Sequence, residues 1–557
     1  MNARPVEIQI MPQGYRLFVR PGQSLLMALA ESGLLLPSDC GGKGLCGKCL
    51  VRIEAPAKAR LATPDASERD CLGPGLLKAG YRLACRIEVE TPLTVRLPQV
   101  TGLHLASQPK GPTLLPEKYF NKTKTFLPSA KTGVAVDLGT TTIGLYLCAL
   151  EAQQLLTSTA VRNPQAIYGA DVISRIDAAR TMETRQRLHH MAINAIETGT
   201  LALCRASHIA PDQVVEMVVV GNPTMIHLLV GEDPTPIGLY PFEPRFVQAR
   251  DIAPGGLGFK KLRSAAVHTL PLVSGFVGSD IIAAALAADM EQLPVGTLLV
   301  DIGTNGEILL VGDDGFAAAS CATGPAFEGA AIQHGMAAVD GAIESVKIDP
   351  CEHSVSVSII QTASNQASKP AGLCGSGLVS AIAELLRARI LLPDGRFAKE
   401  VPFPNLKTAT ADGTVFELVT PEKSFAGHGI RLTQKDIRAI QLAKGALKAG
   451  IDLLCRQAGL DHPHGILIAG AFGNHIRPQD AVTIGLFPQV SGGELTAIGN
   501  AAGSGAILAL LDPVYRRRAG QLAHRTTVVD LVHHPHFEET FIKALAFPDQ
   551  AQIDLDC

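Results

Sequence analysis

Four cysteines near the start of the chain have a spacing that suits metal–sulfur chemistry. Cys40, Cys46 and Cys49 lie close together, and Cys85 follows much later. An iron–sulfur cluster needs four converging thiolates, which closely spaced cysteines on a loop can supply. A structural zinc site and unrelated buried cysteines are the alternatives, although zinc ligands usually come as two separated Cys-x2-Cys pairs. We therefore predict an iron–sulfur cluster held by these four residues.

The loop that carries the first three cysteines is rich in glycine, which tolerates the left-handed turns of a tight loop. Its backbone amides can then point at the sulfur atoms, with glycine at Gly41, Gly42, Gly44 and Gly47. The first gap, Cys-x5-Cys, is one residue longer than in plant-type 2Fe–2S ferredoxins and closer to the adrenodoxin pattern. Overlapping matches to a dinucleotide fingerprint and a P-loop are coincidences, because cysteine ligands interrupt both. The spacing predicts a 2Fe–2S cluster.

A strand–loop–strand pattern that occurs twice carries the second set of candidate residues. Residues 134–147 read VAVDLGTTTIGLYL, and residues 298–311 read LLVDIGTNGEILLV. Glycine after the strand lets the backbone approach phosphate oxygens, and a carboxylate at the strand end can hold Mg²⁺ through its waters. The pattern predicts two loops that bind ATP with Mg²⁺, formed by Asp137, Gly139, Thr140 and Thr141 and by Asp301, Gly303, Thr304 and Asn305.

A third glycine motif lies further along the chain, where residues 467–474 read LIAGAFGN. A strand that runs into Gly470 and Gly473 suits passage under an adenosine, and a tight strand-to-helix turn is the alternative. A helix is predicted over residues 435–454. Its Gln441 and Lys444 either flank the nucleotide or, as we favour, belong to a solvated surface.

The elements that must position these residues fall into two groups. Residues 1–98 predict a small mixed α/β unit, with a hairpin over 7–19, a helix over 24–31 and strands over 50–54, 82–88 and 94–97. From residue 133 onward, the repeated hairpins predict a duplicated α/β fold with a cleft between its halves. The predicted units are residues 1–98, a linker 99–131, the halves 132–295 and 296–525, and a C-terminal helix and tail 526–557.

The linker is rich in proline and lysine, which predicts a tether. An ordered strap lying on the next domain is the alternative, because the segment also contains apolar residues such as Leu114 and Tyr119.

Composition excludes several classes of protein. The chain has 557 residues, of which 46% are hydrophobic and 18% charged, so large buried cores are expected. A net charge of −3 argues against a nucleic-acid binder. Apolar runs fall short of the ~20 residues that a membrane helix needs, and no secretory signal is evident. Clustered cysteines in a chain of this size indicate metal chemistry rather than disulfides, so we expect a cytoplasmic protein.

Together these motifs resemble the reductive activators of corrinoid proteins. Further matching segments are VVGNPTMIH at 219–227, ATGPAFEG at 322–329, LCGSG at 373–377 and DIRAIQLAK at 436–444. The resemblance implies a β-grasp 2Fe–2S ferredoxin domain followed by a duplicated RNase H-like domain of the actin, sugar-kinase and heat-shock-chaperone type. It also implies ATP-dependent electron transfer that returns Co(II) corrinoid proteins of methyltransferase systems to Co(I). The corrinoid would then belong to a partner protein, an upstream donor would supply electrons, and the ATP-binding domain would form a homodimer.

Two other functions stay open at this point: a small-molecule kinase with a ferredoxin redox sensor, and a non-catalytic, ATP-gated electron-carrying adaptor. The resemblance also implies a small extra domain between the linker and the ATP-binding domain. Because Asp137 follows the linker almost at once, we expect this chain to lack that domain.

Overall fold

The structure is a computed structural model. It describes residues 5–11, 15–32, 34, 36, 38, 42, 44, 47–54, 61–97, 114–120, 131–303, 305–329, 332–361, 369–398, 400–410, 413–425, 427–470 and 476–549. Four predicted site residues lie outside these ranges: Cys40, Cys46, Thr304 and Gly473.

The N-terminal unit is a five-stranded sheet in the order β2-β1-β7-β4-β5, crossed by a helix. Its strands are Val6–Met11 (β1), Tyr15–Val19 (β2), Gln23–Ser24 (β3), Leu50–Ile53 (β4), Tyr81–Leu83 (β5), Glu88–Val89 (β6) and Leu93–Arg96 (β7), and its helices are Leu25–Glu31 (α1) and Ala66–Lys78 (α2). Strands β1 and β2 pair antiparallel, as the predicted hairpin requires, and β7 runs parallel to β1 in the middle of the sheet. This is the expected β-grasp arrangement.

Two local predictions differ from the structure. The strand predicted over 82–88 is wrong, because β5 ends at Leu83 and a 3₁₀ helix, Ala84–Arg86, carries Cys85. The amide of Ala84 donates to the carbonyl of Cys49 at 2.9 Å, which turns the chain toward the cysteine loop. Helix α2 was not expected, since a Gly73–Pro74 kink (Gly73 φ 67°) interrupts it and few of its residues are apolar.

The first half of the larger body is a six-stranded sheet in the order β10-β9-β8-β11-β13-β12. Its strands are Thr132–Leu138 (β8), Thr142–Ala149 (β9), Gln154–Arg162 (β10), Val214–Val220 (β11), Arg250–Ile252 (β12) and Ala266–Thr269 (β13), and its helices are Val172–Ala178 (α3), Met182–Ala206 (α4), Pro223–Val230 (α5) and Ser279–Ala287 (α6). Every residue of β8 is buried, as expected of a central strand covered on both faces.

The second half contains a six-stranded sheet in the order β24-β23-β14-β15-β16-β25 and two small three-stranded sheets. Its strands are Thr297–Ile302 (β14), Gly306–Val311 (β15), Phe316–Cys321 (β16), Ala342–Asp349 (β17), Ser354–Ile359 (β18), Gly372–Leu373 (β19), Leu406–Thr410 (β20), Gly413–Val419 (β21), Ile430–Thr433 (β22), Gly465–Ala469 (β23), Leu495–Gly499 (β24) and Thr526–Val528 (β25). Its helices are Gly375–Arg387 (α7), Gln434–Gln457 (α8), Pro478–Thr483 (α9), Ala501–Leu511 (α10), Pro513–His524 (α11) and Phe537–Leu545 (α12).

The two large sheets share one topology in five of their six strands, and they differ in the edge strands β12 and β25. In each, three consecutive strands form an antiparallel meander, and two later strands continue the sheet in parallel beside the first strand. Strand β8 therefore corresponds to β14, and β11 to β23. The duplicated α/β fold predicted from the repeated hairpins is confirmed, as is the RNase H-like type that the resemblance implied.

Helices α6 and α10 hold the two halves together. Helix α6 of the first half contacts β15 of the second, while α10 of the second half contacts β8, β9 and β11 of the first. A Cβ atom on Gly505 would lie only 1.9 Å from the carbonyl oxygen of Ala283, so the two helix backbones are in contact. This crossing brings the ends of β8 and β14 to one cleft.

Part of the linker is ordered against this body. Leu115 and Tyr119 are buried in the apolar cluster that contains α6 and α10, and the amide of Leu114 donates to the Ser504 hydroxyl at 3.4 Å. For residues 114–120 the strap alternative is therefore correct, while the rest of 99–131 lies outside the described residues. Among the helices that the structure describes, none is both long and apolar enough to cross a membrane.

Candidate functional site

Two of the predicted cluster ligands meet in the N-terminal domain. The sulfur atoms of Cys49 and Cys85 are 3.3 Å apart, far longer than the ~2.05 Å of a disulfide. Cys49 lies directly before β4 and is buried, whereas Cys85 is half-buried. Two thiols that converge without bonding suit ligands that share a metal centre.

The surroundings of the two thiols fit an iron–sulfur cluster. The contact with Cys85 lowers the pKa of Cys49 to about 7, despite the opposing effect of burial, and the thiolate is the form that binds iron. Gly42, Gly44 and Gly47 have φ angles of 79°, 75° and 68°, as a loop wrapped around a cluster requires. Cys40 and Cys46 lie outside the described residues, so the other half of the ligand set stays a prediction.

A buried ion pair positions the Cys85 turn. The Arg82 guanidinium donates two hydrogen bonds of 2.9 Å to the Glu68 carboxylate, which also accepts the amide of Leu83 at 2.7 Å. Both charged side chains are buried, and a buried charge needs such pairing. Glu68 on α2 thus fixes the chain just before Cys85, a role that the cysteine spacing gave no means to predict.

The first predicted phosphate loop, residues 137–141, begins at the end of β8 and is followed in the chain by the second, residues 301–305, at the end of β14. A residue from the second half contacts the carboxylate of the first loop. The Asn500 amide donates to Asp137 Oδ2 at 3.0 Å and lies 2.6 Å from the Tyr146 hydroxyl. Burial and the nearby Asp137 raise the pKa of Tyr146 well above its ordinary value. No local sequence pattern marks Asn500 as a site residue, because it lies 363 residues from Asp137.

The two threonines of this loop have partners in both halves. The Asn222 amide donates to Thr140 Oγ1 at 3.0 Å, and the Thr141 hydroxyl donates to Glu328 Oε2 at 2.8 Å. Asn222 and Glu328 belong to the VVGNPTMIH and ATGPAFEG segments. Both segments matched the family pattern, but the sequence predicted no role for their residues. The structure shows that they contact the first phosphate loop.

Asn163 and Arg175 hold the backbone of the same loop from behind. Asn163 Nδ2 donates to the Gly139 carbonyl at 2.9 Å, and Arg175 Nη2 donates to the Thr140 carbonyl at 2.6 Å. Because the C=O and N–H of a trans peptide point in opposite directions, the amides of Thr140 and Thr141 point the other way. Burial lowers the pKa of Arg175 to about 9, against the opposing effects of the Asp171 and Glu328 charges. A buried cation behind outward-turned amides favours an anion such as a phosphate.

The second phosphate loop has a different electrostatic environment. Asp301 pairs across the strands with Glu307, and Asp280 at the start of α6 faces the same point. Burial, then Asp301 and Asp137, raise the pKa of Asp280 to about 7. Burial and these neighbouring carboxylates raise the pKa of Glu307 well above its ordinary value. Asp137 and Asp301 therefore lie close enough to one carboxyl group for both to act on it.

This concentration of carboxyl groups suits a hydrated divalent cation. Among the described residues, no three Cys, His, Asp or Glu side chains are arranged as direct metal ligands. Mg²⁺ keeps several of its waters and binds through few carboxylates, so the arrangement fits Mg²⁺ brought in with a nucleotide. Asp280 and Glu307 were missed from the sequence, although a glutamate inside the apolar strand 306–311 was a usable signal.

Gly470 lies against the second loop. It has a φ of 90°, and a Cβ atom there would lie 2.7 Å from Asp301 Oδ1. Only glycine leaves room for the carboxylate. Within the loop, the Gly303 amide donates to the Asn305 carbonyl at 3.1 Å, which gives a tight turn. The predicted assignment of Gly470 to an adenosine site stays a prediction.

Gln441 and Lys444 are buried, so our interpretation of both as solvated surface is wrong. Gln441 donates to the Leu545 carbonyl at 3.0 Å, and Lys444 donates to the Ala546 carbonyl. Burial lowers the pKa of Lys444 to about 7. These side chains anchor the segment after α12 to α8. The predicted helix is correct, but its amphipathic pattern did not show which later segment would cover it.

Family models match the chain in three consecutive blocks. The 2Fe-2S iron-sulfur cluster binding domain matches residues 8–90, the RACo middle region matches 132–293, and the C-terminal domain of RACo, the ASKHA domain, matches 296–555. The expectation that the chain lacks a middle region is therefore wrong. The region is present, and it folds as the first six-stranded sheet with its helices.

Individual relatives agree with the family models. The corrinoid activation enzyme RamQ of Eubacterium limosum is 31% identical over 94% of this chain and 96% of its own length. A Co(II) methylated amine-specific corrinoid protein reductase of Methanosarcina barkeri is 26% identical over 64% of this chain and 66% of its length. A solved structure of a reductive activator for a corrinoid, iron-sulfur protein matches with a TM-score of 0.68 at 26% identity, covering 98% of this chain and 99% of that one.

Proposed function

This chain belongs to the RACo family of reductive activators of corrinoid proteins, and we propose that it reduces a partner's Co(II) corrinoid to Co(I) in an ATP-dependent step. The N-terminal domain accepts an electron from an upstream donor and passes it to the cobalt. The two-sheet body binds Mg-ATP in its cleft and controls when that transfer takes place. The restored Co(I) form then serves a methyltransferase system.

Cys40, Cys46, Cys49 and Cys85 hold the 2Fe–2S cluster in this proposal. When bound, the cluster supplies one-electron transfer at low potential, about −400 mV in plant-type domains. The buried pair Glu68–Arg82 keeps the Cys85 turn in place. The lowered pKa of Cys49 favours its thiolate at neutral pH.

Both halves of the body contribute to the nucleotide site. Asp137 and Asp301 would hold a hydrated Mg²⁺, as expected of carboxylates at strand ends. The amides of Thr140 and Thr141 face the phosphates, because Asn163 and Arg175 hold the carbonyls behind them. Thr304 and Gly473 complete the predicted set. Closure on the nucleotide then couples the halves through the Asn500–Asp137 contact.

The need for ATP follows from the energetics of the reduction. For a one-electron couple, each ~59 mV uphill reduces the equilibrium constant tenfold. Collision between a ferredoxin and a Co(II) corrinoid of lower potential would therefore leave little Co(I). A nucleotide-driven change in docking between this chain and the corrinoid protein allows the Co(I) protein to be released before the electron returns to the ferredoxin domain.

One observation carries the proposal: a ferredoxin domain with converging thiols is fused to a two-sheet body of the ASKHA type, and a corrinoid activation enzyme aligns along 94% of the chain. The electron donor, the homodimer and the cytoplasmic location stay predictions.

The test is anaerobic reduction of a Co(II) corrinoid protein by the dithionite-reduced full-length protein, followed through Co(I) absorbance. We expect Co(I) with Mg-ATP, much less without it, and none with Cys85→Ser. Cys351→Ser, an exposed cysteine on a distant turn, serves as the matched control and should behave like the wild type. No Co(I) with any of several corrinoid partners would overturn the proposal.

The same assay separates the two open alternatives. ADP formation that requires a phosphate acceptor and persists in Cys85→Ser would indicate a kinase. Nucleotide-dependent partner binding without ATP turnover would indicate an adaptor.

A further inference from the structure

The ferredoxin domain rests on a defined surface of the first half. Ile167 and Met191 are each only 5% exposed because they lie in the apolar cluster of the ferredoxin domain. Ile167 belongs to the 3₁₀ helix Pro164–Tyr168, which contacts α1. Tyr168 packs partly against the same cluster. We call Ile167, Tyr168 and Met191 the docking surface.

The 3₁₀ helix of the docking surface begins at the residue that holds the first phosphate loop. The backbone amide of Asn163 donates to the Thr141 carbonyl at 2.9 Å, and its side-chain amide donates to the Gly139 carbonyl. The same side chain caps the 3₁₀ helix by accepting the Gln165 amide at 3.0 Å. A single asparagine therefore fixes both the loop and the start of the docking surface.

Buried hydrogen bonds make this connection rigid. Gln165 Nε2 donates to the Leu188 carbonyl of α4 at 2.9 Å. Arg175 Nε donates to the Gly169 carbonyl at 3.0 Å, just after the 3₁₀ helix, while its Nη2 holds Thr140. Gln165 and Arg175 are completely buried. A shift of the loop must therefore move the 3₁₀ helix or break buried hydrogen bonds, which is costly.

On the ferredoxin side, α1 continues the connection to the cysteine loop. A Cβ atom on Gly42 would lie 3.6 Å from Leu26 and 3.9 Å from the Cβ of Cys85, so α1 packs directly beneath the loop. The Leu25 amide donates to the Ile87 carbonyl at 2.8 Å, just after the Cys85 turn.

We propose that nucleotide phosphate on the first loop strengthens the seating of the ferredoxin domain on the docking surface, and that nucleotide loss releases it. The contacts of Asn163 and Arg175 that turn the loop amides outward are the same contacts that order the 3₁₀ helix beneath α1. Phosphate binding and ferredoxin docking therefore both stabilise the same arrangement of the first loop and the 3₁₀ helix. The inference rests on the proposed function in taking a nucleotide as the ligand.

Such coupling is reciprocal: if nucleotide strengthens docking, loss of docking must weaken nucleotide binding by the same factor. Met191→Glu places a charge in the docking surface without touching the phosphate loop. Met182→Glu is the matched control, because Met182 is on the same helix but 66% exposed. Ile167→Ala is a milder second variant in case Met191→Glu disturbs folding.

Calorimetric titration of the full-length protein with Mg–AMP-PNP gives the first readout. We expect Met191→Glu to weaken binding at least about fivefold and Ile167→Ala to weaken it less, while Met182→Glu stays within about twofold of the wild type. Equal affinity in all four proteins would overturn the coupling.

Hydrogen exchange of the same proteins gives the second readout. Saturating Mg–AMP-PNP should slow exchange of the α1 amides at residues 26–31 about tenfold in the wild type, and not in Met191→Glu. Nucleotide binding that leaves α1 exchange unchanged in the wild type would contradict the proposal.

These results separate failure of the coupling from failure of the proposed function. Coupling without Co(I) formation would overturn the proposed function alone, whereas Co(I) formation without coupling would overturn this inference alone. No nucleotide binding at all would overturn both.

Discussion

The two predicted phosphate loops share a sequence pattern and a position in their sheets, yet their carboxylates have different neighbours. Asp137 accepts a hydrogen bond from Asn500, which itself lies beside Tyr146. Asp301 faces two further carboxyl groups, Asp280 and Glu307, whose pKa values are raised. The two loops occupy equivalent positions in the duplicated fold. Side chains from other parts of the chain give their two aspartates different neighbours.

This difference assigns separate tasks to the loops. Protein donors already bond to the carboxylate and two carbonyls of the first loop, whose hydrogen bonds extend toward the ferredoxin domain. The second loop keeps an excess of acidic groups that a cation would stabilise. We therefore interpret the second loop as the metal side of the cleft and the first as the phosphate-sensing side.

The largest effect is expected from Asp301→Asn. Loss of this charge should weaken binding of Mg-nucleotide about a hundredfold or more, measured by titration calorimetry. It should also raise the unfolding midpoint of the nucleotide-free protein by a few degrees, because it relieves repulsion with Asp280 and Glu307. Asp137→Asn should raise that midpoint less or lower it, because it relieves only the weaker repulsion with Asp280 while the contact with Asn500 loses its charge. A rise as large as that of Asp301→Asn would break the comparison.

The glycines that follow the fourth strand of each sheet offer a matched pair. Gly470→Ala forces a Cβ atom to within 2.7 Å of the Asp301 carboxylate at a φ of 90°, so we expect Mg-nucleotide binding to weaken about tenfold or more. Gly221→Ala would contact the Leu138 carbonyl at 2.7 Å instead. Gly221→Ala should lower the unfolding midpoint and should change the Mg²⁺ dependence of nucleotide binding less than Gly470→Ala does. If both variants lost the Mg²⁺ dependence of nucleotide binding equally, the two loops would not have separate tasks.

The pH dependence of Mg²⁺ binding follows from Asp280. Its pKa of about 7 means that it is neutral at pH 6 and charged at pH 8, so Mg²⁺ affinity should rise about tenfold over that interval. Without the cation the trend in stability is opposite. A carboxyl group with a raised pKa binds its proton more tightly in the folded state, so stability falls as pH rises from about 4 to about 7.

Titration of Mg–ADP binding at several pH values tests this expectation. Asp280→Asn should flatten the profile, while Asp461→Asn on the surface should leave it unchanged. A wild-type affinity that is independent of pH would show that Asp280 does not face the cation.

A smaller effect is expected from the bridge between the halves at the first loop. Thr141→Val removes the hydroxyl that donates to Glu328, and a bond of this kind contributes about 1 kcal/mol. Nucleotide release, followed by stopped-flow fluorescence, should accelerate about threefold to fivefold. Glu328→Gln keeps an acceptor and should change the rate less. An equal or larger change in Glu328→Gln would contradict the bridge.

The parts of the molecule that sequence predicted correctly depend on local chemistry. The repeated strand–loop–strand pattern and the antiparallel hairpin before α1 each involve neighbouring residues, whose types limit the conformations available. The strand wrongly predicted over 82–88 failed because the Cys49 carbonyl, a distant partner, captures the Ala84 amide.

Long-range contacts account for what the sequence did not reveal. Asn500 and Arg175 act on loops far away in the chain, and no local pattern marks them. Asp280 and Glu307 did leave a signal, since each is an acidic residue beside an apolar run. An acidic side chain in a buried strand or at the start of a buried helix needs either a hydrogen-bonding partner or a bound cation. This rule, applied to the sequence, would have located Asp280 and Glu307.

The central claim is that one polypeptide joins an iron–sulfur electron donor to a nucleotide cleft in order to reduce cobalt. Electron paramagnetic resonance of a Co(II) corrinoid protein, mixed anaerobically with the reduced full-length chain, tests it most directly. The account predicts that Mg-ATP causes the Co(II) signal and the reduced-cluster signal to disappear in equal amounts. Both signals persisting with Mg-ATP bound would contradict it.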